Sequence, residues 1–249
     1  MNPNINRRKS LNRITTGLVG ITGLSGCGTL FKNTKQNEKE LAADFVVIGG
    51  SLGGCAAALS ALQSGLTVIL TEETDWIGGQ LTSQGVPPDE HMWIESFGCT
   101  QSYRSLRNAI RNYYKDNYPL TKKARQSIHL NPGNGTVSRI CHEPKVALKC
   151  IEALFKPYLV KGKLKLLKKT IPISADVSGD NIKSIEILDL ENNSSRVLVG
   201  KIFADATELG DLLPITGCEH VIGTEGKNKT NELHMPKKVS SSNQQAFTV

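Results

Sequence analysis

The chain has 249 residues, 39% of them hydrophobic with few aromatics, and a formal net charge of +7. That length suits one large domain or two small ones, and the composition is ordinary for a soluble α/β protein. No run of 18 or more apolar residues exists, so no conventional membrane-spanning helix is expected. The charge is no argument for nucleic acid: residues 1–40 hold seven Lys+Arg and two Asp+Glu, and the remainder is near neutral.

The first 27 residues read as a targeting segment. Arg7, Arg8, Lys9 and Arg13 precede a mildly apolar stretch, Ile14 to Leu24, that ends in Leu24-Ser25-Gly26-Cys27. That ending resembles the lipobox of bacterial lipoprotein signal peptides, in which the cysteine is lipidated. The resemblance implies a membrane anchor at Cys27 and export to the bacterial cell envelope. Arg7-Arg8 with Leu11 also resembles a twin-arginine signal, with Asn6 and Ser10 departing from its usual flanks. The competing reading is a disordered basic tail on a cytoplasmic protein. Residues 28–41 are expected to form a polar linker, and residues 42–249 the domain.

The segment Asp44 to Gln80 organises the rest. Phe45 to Ile48 is a short apolar run of the kind a buried parallel strand needs. Gly49, Gly50, Gly53 and Gly54 follow, then a small, helix-favouring stretch from Cys55 to Gln63. Gly65 ends that helix, Leu66 to Leu70 forms a second strand, and Glu72 stands 23 residues after Gly49. A helix start with bare backbone presents N–H donors and partial positive charge to a pyrophosphate. A carboxylate after the second strand can accept hydrogen bonds from both hydroxyls of an adenosine ribose. Ser51 occupies the middle glycine position of the usual G-x-G-x-x-G pattern. The competing reading is a tight strand-to-helix turn without a ligand.

A second glycine pair follows in Trp76-Ile77-Gly78-Gly79-Gln80-Leu81-Thr82-Ser83. With these residues the chain resembles the FAD-dependent oxidoreductase family of the glutathione-reductase-like superfamily, whose first turn often carries Ser or Thr at the position of Ser51. The resemblance implies a Rossmann-like, doubly wound parallel sheet holding FAD, with a small β-meander and inserted helices. It implies that Gly49, Gly50, Ser51, Gly53 and Gly54 approach the pyrophosphate and that Glu72 holds the ribose. It also implies that Gly78, Gly79, Gln80 and Ser83 pass along the pyrophosphate and ribityl chain. An NAD-dependent dehydrogenase is the third reading, opposed by Gly78-Gly79, which a nicotinamide site does not need.

Pro87-Pro88 breaks the chain, and helical spacing then runs from about Gln101 to Tyr118. Leu106, Ile110 and Tyr113 or Tyr114 fall on its apolar face. Arg104, Arg107, Arg111 and Lys115 are expected on its solvated surface, with an acidic substrate as the alternative partner. Pro144 opens a further helix to about Tyr158, a position where its missing N–H does no harm. Lys161 to Lys169 reads as an exposed strand whose lysines guard an edge. Ile171 to Ala175, Ile182 to Leu190 and Val197 to Phe203 follow, separated by turn signals, as a three-stranded meander hanging off the main sheet.

Asp205-Ala206-Thr207-Glu208-Leu209-Gly210-Asp211-Leu212 matches a stretch that, in the resembled family, returns the chain to the cofactor near its adenosine. Glu208 stands where glycine is commoner in the wider superfamily. Glu208 and Asp211 are equally readable as acids favoured at a helix start. The resembled family runs on past this point, so the chain is expected to be its N-terminal half, truncated at the C-terminus.

The six cysteines (Cys27, Cys55, Cys99, Cys141, Cys150 and Cys218) form no C-x-x-C pair and match no zinc spacing. Neither a metal site nor a disulfide framework is expected, and Cys55 reads as a small packing residue. Flavin would carry the redox chemistry, so the protein need supply only binding, orientation and proton transfer. His91, Glu95 and His142 are the candidates for proton transfer, each with a backbone-bonding loop residue as the alternative. The expected function is hydride transfer from a small organic substrate through FAD to an acceptor. The alternative is a non-catalytic dinucleotide-binding or structural lipoprotein module.

Overall fold

The structure is a computed structural model that describes residues 39–244. The expected leader, with Arg7, Arg8 and Cys27, lies outside the described residues.

Six strands form one sheet in the order β3-β2-β1-β6-β5-β4. Strand β1 (Glu40–Ile48) lies between β2 (Val68–Thr71) and β6 (Ser194–Asp205), parallel to both, and β2 pairs in parallel with β3 (Leu164–Leu167). Glu40 and Leu41, assigned to the linker on sequence, already pair with Val197 and Leu198 of β6. Strands β4 (Thr170–Ser178), β5 (Asn181–Asp189) and β6 are antiparallel. The expected three-strand meander is therefore present, but it does not hang off the sheet. Its last strand is twelve residues long and is itself a strand of the parallel sheet. One edge of β6 pairs with β5 over Ser194 to Val199, and the other pairs with β1 over Val197 to Asp205. A strand has two hydrogen-bonding edges, and turn signals alone do not say what fills the second.

The period-two alternation of strands splits the core between the two faces. Val47, Val68 and Leu70 point into a large apolar cluster with helices α1 (Leu52–Gln63), α2 (Gln101–Asn117) and α4 (Pro144–Val160). Val46, Ile48 and Ile69 point to the opposite face, where Ile185, Ile187 and Leu198 meet Leu212 of the short helix α5 (Leu212–Thr216). Helix α1 brings Ala58 and Ala61 to the sheet, small enough for close approach. Strand β3 is the sheet edge as expected, although Leu164 is buried and Lys168 is tied to Glu152 at 2.8 Å. Two more short helices, α3 (Lys122–Gln126) and α6 (Lys227–Thr230), and a 3₁₀ turn over Gly79–Leu81 complete the described elements. Among the described residues no helix is long and apolar enough to cross a membrane.

Helix α2 departs from expectation on its basic side. Leu106, Ile110 and Tyr114 are buried as its apolar face, but Arg107 and Arg111 are buried too, at 1% and 3% exposure. Their partners arrive from the preceding loop: Arg107 binds Glu90 and Glu95, and Arg111 grips both oxygens of Glu95 at 2.6 and 3.0 Å. Tyr103 also donates to Glu90 at 2.6 Å, and Arg111 reaches the Leu130 carbonyl at 2.9 Å. Burying a guanidinium is costly unless its donors are met, and a fork-shaped cation can meet several acceptors at once. The arginine stripe thus holds two loops onto the helix instead of facing water.

Candidate nucleotide-binding cleft

The cleft forms where β1, β2 and β6 end together. Ser51 caps α1, its Oγ accepting from the Gly54 N–H at 3.1 Å. The N–H groups of Leu52 and Gly53 begin the helix and by geometry have no acceptor within it. Gly49, at φ +105°, lets the chain turn between strand and helix. A methyl group there would stand 2.2 Å from the Ala206 carbonyl oxygen, so the turn packs directly on the end of β6. Gly54 is bare for the same kind of reason, since a methyl would meet the Gly49 carbonyl at 2.1 Å.

Glu72, 8% exposed, closes the other wall. One carboxylate oxygen accepts from the Gly50 N–H at 3.1 Å, and the other accepts from the Thr74 N–H and hydroxyl at 2.8 and 2.7 Å. These three bonds fix the carboxylate's direction and leave it acceptor capacity toward the cleft, because an ionised carboxylate has about four lone-pair sites. The second glycine turn docks onto the first through Gly78 N–H donating to Gly50 O at 2.7 Å. Beyond β6, Asp205 accepts from Thr207 N–H and Leu212 N–H at 3.0 and 2.9 Å, which curls Ala206 to Asp211 around the opening.

Together Gly49, Gly50, Ser51, Glu72, Gly79, Ser83, Thr207, Glu208 and neighbouring residues enclose about 210 Å³. A whole ligand site usually takes ~300–1,000 Å³, so this space suits the diphosphate and ribose end of a dinucleotide better than the whole molecule. The sequence pattern of the FAD dependent oxidoreductase family matches residues 44–247. The chain belongs to that family.

FAD is accordingly the cofactor of this family. The chain is similar at low identity to several solved structures. The FAD-dependent halogenase of myxobacterial chondrochloren synthesis is 14% identical over 67% of this chain and 37% of its own, TM-score 0.41. The FAD-complexed glycerol-3-phosphate dehydrogenase from Bacillus halodurans is 14% identical over 71% and 37%, TM-score 0.43. L-proline dehydrogenase from P. horikoshii is 16% identical over 74% and 58%, TM-score 0.43. The chain thus spans less than two thirds of each of these three proteins. A comparison with curated protein sequences finds no match.

The residues present fit the adenosine diphosphate part of FAD: a bare helix start, an oriented carboxylate and a second glycine turn converge on one opening. Six of the ten residues expected to hold the cofactor line it, namely Gly49, Gly50, Ser51, Glu72, Gly79 and Ser83. The side chains or Cα positions of the other four are not in its lining. Gly54 serves the packing described above, and Gly53 lines an apolar hollow between α1, α2 and α4. Gly78, at φ +108°, is bare because a methyl would meet Ile151 Cδ1 at 2.7 Å, and Gln80 is exposed. Cys55 is the packing residue expected, its Sγ 3.4 Å from the Gly50 carbonyl and its thiol pushed up to about 12 by burial.

None of the three proton-transfer candidates lines the cleft. His91 is exposed, its Nδ1 accepting from Trp93 N–H at 3.2 Å beside the stacked rings of Trp93 and Phe97. Glu95 is the hub of the arginine cluster. Burial raises its pKa, but the Arg111 hydrogen bonds and the charges of Arg107, Arg111 and His129 more than offset that, leaving it at about 2. His142 sits with both ring nitrogens buried and unbonded among the described residues, and burial lowers its pKa. Ala206 and Thr207, from the D-A-T stretch expected near the adenosine, also line the cleft. Thr74 lines it too, and the sequence carried no signal for it beyond its place two residues after Glu72.

Proposed function

We propose that this chain holds the nucleotide half of FAD in an enzyme that takes hydride from a small organic substrate and passes electrons to an acceptor. The observation that supports it is the meeting of two glycine turns with Glu72 at one opening, in a chain of the FAD dependent oxidoreductase family. When bound, FAD supplies the two-electron chemistry. The chain's part is binding and orientation. The α1 start offers main-chain donors to phosphate, and Glu72, aligned by Gly50 and Thr74, receives ribose hydroxyls. The Cys27 motif supports the further proposal that the protein is exported and lipid-anchored at the cell envelope.

The test is FAD titration of the full chain followed by fluorescence and absorption. Wild type is expected to bind FAD and to yield authentic FAD on release. Glu72→Ala should weaken binding about tenfold through loss of a charge-assisted contact. Equal binding by both proteins would remove the ribose assignment. A second reading is a dinucleotide-binding module without catalysis. A flavin that stays oxidised with every donor class offered anaerobically would favour it.

A further inference from the structure

The cleft presents an electrostatic conflict. Its lining holds four carboxylates, Glu72, Glu73, Glu208 and Asp211, and no Lys, Arg or His. Glu72 is committed to Gly50 and Thr74. Glu208 is placed differently. A methyl group built on Gly79 would lie 2.9 Å from Glu208 Oε1 and 3.1 Å from Ser51 Cα, so this carboxylate reaches into the narrow space between the two glycine turns. That is the space the bare backbone leaves for a phosphate. Gly79, at φ +49°, keeps no side chain there, and the neighbour that enters from β6 is an anion.

Main-chain donors at the α1 start attract a diphosphate, while a carboxylate within a few ångströms repels it. We propose that Glu208 limits how tightly the chain holds the phosphates of FAD, making the cofactor exchangeable and its binding stronger as that carboxylate is neutralised or screened. The inference rests on the reading of this cleft as the FAD seat. Opposite charges would lose affinity as salt rises, whereas this cleft should gain it, because salt of ~0.15 M screens exposed charges beyond ~8 Å and weakens nearer ones. Glutamine at 208 keeps the side chain's size and hydrogen bonding and removes only the charge.

The experiment titrates FAD into the full chain as wild type, Glu208→Gln, Glu72→Ala and Asp180→Asn at low and high sodium chloride, reading flavin fluorescence. Asp180 sits in the exposed β4–β5 turn, so its variant removes one charge outside the cleft. Glu208→Gln should bind FAD about three- to tenfold more tightly than wild type at low salt. That gap should narrow at high salt, with Asp180→Asn matching wild type. Unchanged or weaker binding by Glu208→Gln, beside a wild type that binds and a Glu72→Ala that binds less, would overturn the role of Glu208 and leave the FAD seat standing. No binding by any of the four would overturn the seat itself, and the inference with it.

Discussion

Two groups of carboxylates, less than thirty residues apart in the chain, are handled in opposite ways. Glu72 is met by N–H dipoles and one hydroxyl, which orient it without neutralising it. Glu90 and Glu95 are met by Arg104, Arg107 and Arg111, which neutralise them and bury most of the resulting pairs. A cleft that must accept and release a ligand retains acceptor capacity; a cluster that pins loops to a helix spends its charge internally. The same side-chain chemistry therefore serves binding in one place and architecture in the other, and what separates them is whether the partner is main chain or guanidinium.

The largest expected effect lies in the cluster. Arg107→Ala leaves Glu90 and Glu95 short of their buried cation and should cost about 3–5 kcal/mol in urea unfolding. A loss under about 1 kcal/mol would mean that the cluster behaves as an ordinary surface network and the contrast fails. Gly49→Ala should be next, at about 1–3 kcal/mol, because it forces a side chain into positive φ and onto the Ala206 carbonyl. It should also abolish FAD binding in the fraction that folds, whereas Arg107→Ala should leave FAD affinity per folded molecule near wild type.

A further effect is a pH dependence. Glu95 has a pKa of about 2 in the folded protein against an ordinary value of 4.5. A depressed carboxyl pKa gives stability that is complete above the unfolded value and is lost as pH falls through the folded one. Stability should therefore decline between about pH 4.5 and 2 in wild type, and the Glu95 share of that slope should vanish in Glu95→Gln. Glu72→Ala and Glu208→Gln, read by FAD affinity, sharpen the other side of the comparison, since they should move in opposite directions.

The amino-acid sequence by itself determined the β1–α1–β2 unit, the cleft's glycine turn and its acid. Those features are local: an apolar run, glycines free to adopt positive φ, and an acid just past the second strand, 23 residues from Gly49. Tertiary structure alone decided that Arg107 and Arg111 are inside, that Glu95 is a cluster hub, and that β6 joins meander to parallel sheet. It also decided that a side chain at Gly78 would run into Ile151, and that Glu208 reaches Gly79. Helical spacing says which side chains share a face but not which distant loop folds over it. A guanidinium facing water and one facing two buried carboxylates have the same sequence signature, and only the partner's arrival from elsewhere in the chain tells them apart.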